Sequence, residues 1–369
     1  RFAAAGLGEV AGLTWKDGEQ VIHNPERRIH GTDSLPPLNY ARLQDVAGYL
    51  RPSFMGARTA VHQAAVGCRY HCDFCGVVSM FNGKTVLQAP RQLELALTAL
   101  RDRYGATAVQ FYDNNFFDRE PTSIPTLELL AKAGLPWWCY ARADTLAKFS
   151  AATWQLICKS RLKMAYIGVE SASDEALTRM RKGTKVEHTV EVAHRCREAG
   201  IVPEFSFILG GPEDPEGEIE ATFRFIRKLK AINPGCEVIL YFYSPTPQRH
   251  PAMRSQGRTP IPRLAQYGPA GPELPETPEE WTQPQWISYV CHQDAPWLTE
   301  AIRRRVRDFA QVLSCRFPTA QDYRTPWWGK LVLRELARPR YAQRRYGKPW
   351  ELSFARRIIP LRDPATESL

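Results

Sequence analysis

The sequence predicts an α/β fold: a partial (β/α)6 TIM-like barrel, with an N-terminal hairpin and linker and a basic, mainly helical C-terminal extension. Two observations lead to this prediction. Six short apolar runs alternate with helical patterns between residues 56 and 243, and such alternation is typical of parallel βα units. Six strands are fewer than the eight of a closed barrel, so we expect a partial one.

The elements of residues 56–243 follow one another in regular order. Asp214 and Pro215 suit the cap and the first position of a helix. The predicted strands are Thr59–Val66, Ala106–Tyr112, Trp137–Ala141, Met164–Val169, Val202–Leu209 and Glu237–Tyr243. The predicted helices are Pro90–Arg103, Pro121–Ala133, Ser150–Lys159, Glu187–Ala199 and Pro215–Ala231.

Three further zones flank this barrel. Residues 1–55 are predicted to form a hairpin, with Asp17-Gly18 between two short apolar runs, and then a linker. Residues 244–296 are expected to be irregular, because ten of the 29 prolines fall between positions 244 and 284. In the basic zone 297–369, residues 297–315 predict an amphipathic helix. Its apolar face holds Leu298, Ile302, Val306, Phe309 and Leu313.

Charge and hydropathy exclude several classes of protein. The 369-residue chain has a net charge of +10. Residues 301–369 hold 16 basic and 6 acidic residues, and the first 300 hold 33 of each, so the C-terminal fifth carries the excess. The mean hydropathy is −0.38, and no apolar stretch approaches the length of a membrane-spanning helix. An ordinary apolar content of 44% also excludes general disorder.

Three of the nine cysteines, Cys68, Cys72 and Cys75, lie within eight residues after the first predicted strand. Thiolates are soft ligands that suit iron–sulfur clusters or zinc. Structural zinc usually has four protein ligands, yet no second cysteine pair follows, and His71 is poorly placed between the others. Three thiolates therefore favour a 4Fe-4S cluster with one iron open to substrate. The other cysteines are scattered singly, which indicates a reducing, cytoplasmic location.

The spacing Cys68-x-x-x-Cys72-x-x-Cys75, with Phe74 before the last cysteine, resembles the signature of the radical S-adenosylmethionine (SAM) superfamily. That resemblance implies a 4Fe-4S cluster whose open iron chelates SAM. It also implies reductive cleavage of SAM to a 5′-deoxyadenosyl radical, with the electron coming from a flavodoxin or ferredoxin type of reductant.

Polar segments at successive predicted strand ends extend the resemblance. Asp113 and Asn115 match a segment near the methionine group of SAM, and Arg142 belongs to a matching Arg-x-Asp pair. Glu170 lies in a Gly-x-Glu-Ser segment whose carboxylate meets the ribose, and Lys182-Gly183 follows as in many members. Phe207–Pro212 resembles the segment against the adenine. The cofactor-binding residues that the resemblance implies are Phe74, Asp113, Asn115, Arg142, Glu170 and Ile208.

The N-terminal zone and the tail around Arg340–Leu352 resemble the cobalamin-dependent radical SAM group, which includes methyltransferases and porphyrin-ester cyclases. That group has an Asp-x-His-x-x-Gly loop in its cobalamin domain, and none of the eight histidines here fits it. Either a cobalamin-binding domain lies upstream and cobalamin binds through that domain, or the protein works without cobalamin; the start at Arg1 rather than Met favours the first.

The predicted function is that of a radical SAM enzyme, a cobalamin-type methyltransferase or cyclase acting on a small-molecule or lipid-like substrate. Two alternatives stay open. A tRNA-modifying enzyme would bind phosphates with the basic tail, although nucleic acid is disfavoured as a partner. A non-enzymatic module would need its metal only for folding. Contact with a membrane surface through Trp327, Trp328 and nearby arginines is a further use of the tail. Candidate substrate contacts are Tyr241, Tyr243, His250 and His292.

Overall fold

A computed structural model describes residues 6–25, 39–81, 83–211, 213–243, 277–284, 287 and 298–361. The fold is built around one large sheet with helices on its outer side. The strands are β1 (Thr14–Asp17), β2 (Gln20–His23), β3 (Arg51–Ser53), β4 (Gly56–His62), β5 (Ala65–Gly67), β6 (Thr85–Leu87), β7 (Ala108–Phe111), β8 (Trp137–Ala141), β9 (Leu162–Glu170), β10 (Val202–Leu209) and β11 (Glu237–Phe242).

The large sheet has seven strands in the order β11-β10-β9-β8-β7-β4-β3. The six strands from β11 to β4 are parallel to one another. Only β3, at the edge of the sheet, is antiparallel, and it pairs with β4. The sheet is curled into a half-barrel. All six parallel strands therefore have their carboxyl ends at one rim, which is where α/β proteins place their functional groups.

Helices alternate with these strands and cover the outer face of the sheet. Residues 99–103 continue the third helix as a short π-helical stretch. The helices are α1 (Val46–Tyr49), α2 (Gly76–Phe81), α3 (Pro90–Thr98), α4 (Glu120–Ala133), α5 (Ala143–Ala147), α6 (Ala151–Lys159), α7 (Asp174–Arg179), α8 (Val186–Ala199), α9 (Pro215–Ile232), α10 (Pro278–Trp281), α11 (Glu300–Arg316), α12 (Trp327–Ala342) and α13 (Trp350–Arg356).

The predicted partial barrel is confirmed, with one difference at its first strand. The predicted run Thr59–Val66 divides into β4 and β5, because the chain turns away from the sheet at Ala64, whose carbonyl accepts from Gln88 N at 2.7 Å. The second piece, β5, then pairs with β6 in a separate two-stranded sheet. This turn lifts the cysteine segment off the sheet and over its rim.

The N-terminal zone contributes more to the fold than a linker would. The hairpin forms as β1 and β2, with Asp17 opposite Gln20. Residues 51–53, which the sequence places in the linker, form the edge strand β3. Pro52 hides this strand from pattern reasoning, yet proline is tolerated at a sheet edge, where no further strand needs its missing N–H.

Most of the proline-rich zone 244–296 lies outside the described residues. The described part of it contains the one-turn helix α10, which begins at Pro278. The expectation of irregular chain is wrong for these four residues, since proline fits the first turn of a helix.

The C-terminal extension packs onto the barrel through α11. Its predicted apolar face is buried, and Phe309 stacks on Phe223 of α9 with ring centroids 3.7 Å apart. Beyond it, Gln321 reaches the amino ends of the last strands, where its Nε2 donates to Glu204 Oε1 at 2.8 Å. The extension is therefore part of the barrel's own packing.

In the part of the chain described above, no helix is both long enough and apolar enough to cross a membrane.

Candidate active site

The cysteine loop begins at a glycine that no other residue could replace without strain. Gly67 has φ +81°, and a Cβ there would lie 2.2 Å from the Lys84 carbonyl oxygen. Its N–H donates to Asn114 Oδ1 at 3.0 Å. This contact ties the start of the loop to the carboxyl end of β7, so Cys68 enters above the rim of the half-barrel.

The three cysteines occupy one short loop between β5 and α2. Cys72 is buried, whereas Cys68 and Cys75 are half-buried. Burial raises the pKa of both Cys68 and Cys75, and the positive charges of Arg142 and Lys182 oppose the rise at Cys68. The neighbouring Cys72 also raises the pKa of Cys68, and Cys72 and Cys68 both raise the pKa of Cys75. The Asp73 N–H between them donates to Met180 O at 3.1 Å, which fixes the loop's middle.

The donor chemistry of this loop fits an iron–sulfur cluster better than a single metal ion. Within the described ranges, no group of three or more His, Cys, Asp or Glu side chains is arranged to hold one metal ion. A cubane cluster instead takes one thiolate per iron, so its ligands stand farther apart than those of a single zinc. Cys68, Cys72 and Cys75 would hold three irons, which leaves the fourth without a ligand from this loop.

Arg142, at the carboxyl end of β8, lies directly beside the loop. Its Nη1 is 3.5 Å from Cys72 Sγ, and its Nε donates to Asp144 Oδ1 at 2.9 Å. The guanidinium also stacks on the Tyr70 ring, 3.5 Å from the centroid. Arg142 and Asp144 are both buried. Asp144 thus holds the guanidinium of Arg142, which is always positively charged, against the sulfur of Cys72.

Lys182 connects the remaining predicted residues. Its Nζ donates to Glu170 Oε1 at 2.6 Å and lies 5.5 Å from the centroid of the Phe74 ring. Its carbonyl accepts from Arg142 Nη2. Glu170 itself has φ +65°, an uncommon conformation for a non-glycine residue. The structure therefore brings Phe74, Arg142 and Glu170 together around Lys182.

Gly168 leaves the space in which this ion pair forms. A Cβ at Gly168 would lie 2.2 Å from Glu170 Oε1 and 2.8 Å from Lys182 Nζ. The sequence pattern identifies Lys182 only as the start of a Lys-Gly pair and does not indicate its contact with Glu170. The available signal was a lysine twelve positions after a strand-end glutamate, which is too weak to identify a partner.

Asp113 and Asn115, which follow β7, lie beneath the loop. Asp113 is fully buried and accepts from the Ala65 N–H, so its carboxylate supports the segment that leads to the cysteines. Asn115 Nδ2 donates to Phe117 O at 2.9 Å. Asp113 Oδ2 and Asn115 Oδ1 are buried acceptors for which the described part of the chain offers no hydrogen-bond partner. A contact of either residue with SAM stays a prediction.

The burial of Asp113 predicts a pH-dependent stability. Burial raises its pKa to about 7, against opposing hydrogen bonds from the backbone of Ala65 and Ala64. The folded protein thus holds this proton more tightly than the unfolded chain, so the free energy of unfolding should fall as the pH rises from about 4 to about 7. We expect Asp113→Asn to flatten this decline in urea denaturation of the metal-free protein at pH 5 and pH 8.

Asp102→Asn is the matched control, because Asp102 is an exposed carboxylate whose pKa is lowered by its hydrogen bond with Arg101. It should leave the difference between pH 5 and pH 8 unchanged. An unchanged difference in Asp113→Asn as well would contradict the effect assigned to burial.

Ile208 and Tyr243 line one surface pocket where β10 and β11 end. Its other walls come from α7 and from the start of α9, and Glu218 Oε2 accepts from Gly211 N at 2.9 Å. Beside the pocket, Gly210 lies against Leu298 of the C-terminal extension, where a Cβ would meet the Leu298 Cδ2 at 2.4 Å. The pocket is lined by Ala176, Arg179, Met180, Ile208, Gly211, Glu213, Glu218 and Tyr243.

Aromatic side chains form a row across the concave face of the half-barrel. Alternate residues of β8 and β9 point away from the helices, and Trp138 and Tyr140 have ring centroids 4.6 Å apart. Tyr140 and Tyr166 follow at 4.9 Å, and Tyr166 hydrogen-bonds with Tyr241. Tyr241 is therefore in this row, whereas His250 and His292 lie outside the described residues.

Residues 63–226 match the Radical SAM superfamily. This span contains the cysteine loop, Arg142, Glu170 and Lys182. Residues 63–226 of this chain therefore form a radical SAM domain.

Curated relatives are distant and longer. A protein of Pyrococcus horikoshii, named as an uncharacterized methyltransferase, is 25% identical over 60% of this chain and 48% of its own length. The anaerobic magnesium-protoporphyrin IX monomethyl ester cyclase of Cereibacter sphaeroides is 26% identical over 58% of this chain and 35% of its own. The matches thus span about half or less of these two relatives.

Solved structures with a similar fold include two cobalamin-dependent or methyl-transferring radical SAM enzymes. OxsB is 20% identical, with 60% of this chain and 33% of that chain aligned. TsrM from Kitasatospora setae is 13% identical, with 92% and 75% aligned. Each comparison has a TM-score of 0.49.

Proposed function

We propose that this protein is a radical SAM enzyme of the methyltransferase or cyclase type, in which Cys68, Cys72 and Cys75 hold a 4Fe-4S cluster. The observation that supports it most is the contact chain from Cys72 through Arg142 and Lys182 to Glu170. When bound, the cluster would supply the electron that cleaves SAM to methionine and the 5′-deoxyadenosyl radical. A flavodoxin or ferredoxin type of protein would reduce it.

The chain's own residues would bind and orient SAM beside the loop. Arg142 can pair with a carboxylate, which is the acidic group of SAM. The Glu170 carboxylate can accept from two ribose hydroxyls, with Lys182 holding it in place. Ile208, at the neighbouring strand end, offers an apolar surface to the adenine. These roles fit an elongated ligand that runs along the rim from β8 to β10.

The substrate in this proposal is a small organic or lipid-like molecule that enters over the rim. The row formed by Trp138, Tyr140, Tyr166 and Tyr241 would face it. The large apolar rings can contact a substrate's carbon skeleton, and the tyrosine hydroxyls can hydrogen-bond to its polar groups.

Methyl transfer and cyclisation are proposed because the two curated relatives described above carry the names of a methyltransferase and a cyclase. Cobalamin, where it is used, would come from a domain outside these 369 residues. A reducing, cytoplasmic setting is also proposed, since none of the eight described cysteines forms a disulfide. Titration of thiols in freshly isolated protein checks that setting.

The function is tested by SAM cleavage. The chain is reconstituted anaerobically with iron and sulfide, reduced with dithionite and incubated with SAM, and 5′-deoxyadenosine is measured. We expect product from the wild type and a loss of SAM affinity of about tenfold or more in Glu170→Gln, because a hydrogen bond to a charged group is lost. Equilibrium dialysis over a range of SAM concentrations measures bound SAM and gives the SAM affinity of each protein.

Glu175→Gln is the control for that substitution, because Glu175 is an exposed residue of α7 that accepts from Ser173 Oγ. It should bind SAM like the wild type. A cluster that forms without any SAM binding would instead support the non-enzymatic module. Uptake of zinc alone would show that the three cysteines do not hold an iron–sulfur cluster.

A further inference from the structure

The last two helices expose an unusual amount of apolar surface. On α12, Trp327 is 77% exposed. On α13 and just after it, Trp350 is 75%, Phe354 64% and Ile358 68% exposed. Single exposed apolar residues are common, but a concentrated set marks an interaction site. We call this set the C-terminal apolar surface; it comprises Trp327, Trp328, Leu331, Val332, Trp350, Phe354 and Ile358.

These residues are not needed to hold the two helices on the barrel. The inner face of α12 is already buried at Gly329, Leu333 and Ala337. Gly329 lies so close to Ile359 that a Cβ would meet its Cγ2 at 2.7 Å. The inner face of α12 therefore packs on the rest of the extension. The residues of the C-terminal apolar surface belong to none of the hydrophobic clusters found among the described residues.

The exposed apolar residues of α12 and those of α13 lie on neighbouring helices. The start of α12 touches the end of α13, where Thr325 Oγ1 donates to Pro360 O at 2.7 Å. At the other end, Arg340 near the end of α12 pairs with Glu351 at the start of α13. The helices thus run antiparallel side by side, which sets Trp327 and Trp328 near Ile358. A two-helix layer of this kind presents a broad apolar surface.

Strong positive charge surrounds the C-terminal apolar surface. Residues 323–361 contain ten Lys and Arg and two Glu, which is a net charge of +8. Both glutamates are already paired, Glu335 with Arg338 and Glu351 with Arg340. Even with these two pairs formed, the segment keeps a net charge of +8.

We propose that the C-terminal apolar surface docks this protein onto an anionic phospholipid bilayer. Tryptophans combine an apolar ring with a polar N–H, which suits the boundary between headgroups and acyl chains. Flanking lysines and arginines can bury their stems and reach anionic headgroups. An RNA partner would match the charge but not the leucine, valine, isoleucine and phenylalanine on the same surface. The docking is peripheral and does not depend on the proposed reaction.

Flotation of the full chain with vesicles tests the proposal. Phosphatidylcholine vesicles are compared with vesicles containing phosphatidylcholine and about one third phosphatidylglycerol, at low and high salt. We expect recovery with the anionic vesicles only, weakened by salt. The variant Trp327→Ala/Trp350→Ala/Phe354→Ala should lower the apparent affinity by about tenfold or more, with an unchanged circular dichroism spectrum.

A charge-reversal variant tests the contribution of the basic residues, and a control variant tests whether any loss of exposed apolar residues has the same effect. Lys330→Glu/Arg334→Glu should reduce recovery with anionic vesicles, because it reverses charge beside the surface. Val21→Ala/Leu43→Ala/Tyr49→Ala removes three exposed apolar residues at the other end of the chain and should float like the wild type. Equal flotation of all variants, equal recovery with neutral vesicles, or tRNA binding that the triple alanine variant abolishes would overturn the proposal. A dimer abolished by that variant, without flotation, would also overturn it.

Discussion

Cys72→Ala is expected to abolish cluster binding and, with it, formation of 5′-deoxyadenosine from SAM. Cys72 is the central and most buried of the three thiols, and Arg142 lies against its sulfur. Two remaining thiolates on the loop would leave two irons of a cubane without protein ligands. After anaerobic reconstitution, we expect iron content and visible absorbance to fall to background. Product should fall by at least about a thousandfold, the range seen when a group acting as part of a unit is removed.

The control for this variant is Cys158→Ser. Cys158 is an exposed cysteine in α6, outside the loop. It should retain the iron content and product formation of the wild type. An iron–sulfur spectrum that persists in Cys72→Ala, or one lost equally in Cys158→Ser, would contradict the assignment of the ligands.

Arg142→Met is expected to destabilise the fold by about 3–5 kcal/mol, the usual effect of removing one partner from a buried ion pair. Asp144 would remain buried with Thr184 Oγ1, 2.9 Å away, as its remaining described donor. The free energy of unfolding of the metal-free protein, from urea denaturation, measures the effect. Methionine fills similar apolar volume, so lost charge and hydrogen bonding dominate the result.

The double variant Arg142→Met/Asp144→Asn separates charge from packing. Neutralising Asp144 removes the stranded carboxylate, so the double variant should recover part of the stability lost in Arg142→Met. Additive losses would mean that Arg142 stabilises the fold through its stacking on Tyr70 rather than through the pair. SAM affinity should stay low in both variants if Arg142 binds the SAM carboxylate.

Local sequence patterns predict most of the strands and helices of the barrel. The strands Trp137–Ala141 and Val202–Leu209 have the predicted bounds, because apolar runs that alternate with helical patterns are typical of parallel strands. The apolar face of α11 was likewise predictable from its helical period. The cysteine spacing predicted the radical SAM domain because it resembles the signature of that superfamily, and three soft donors on one loop favour a metal cluster.

Only the tertiary structure decided how distant residues meet. Residues 51–53 join the sheet as an edge strand because a neighbouring strand is there to pair with, which no local pattern encodes. Lys182 reaches Glu170 because Gly168 leaves room between them. Asp113 turns under the cysteine loop because the Ala65 N–H is there to bind it. Sequence patterns report propensity and burial over a few neighbouring residues. Pairing partners and buried charges depend on contacts between segments far apart in the chain.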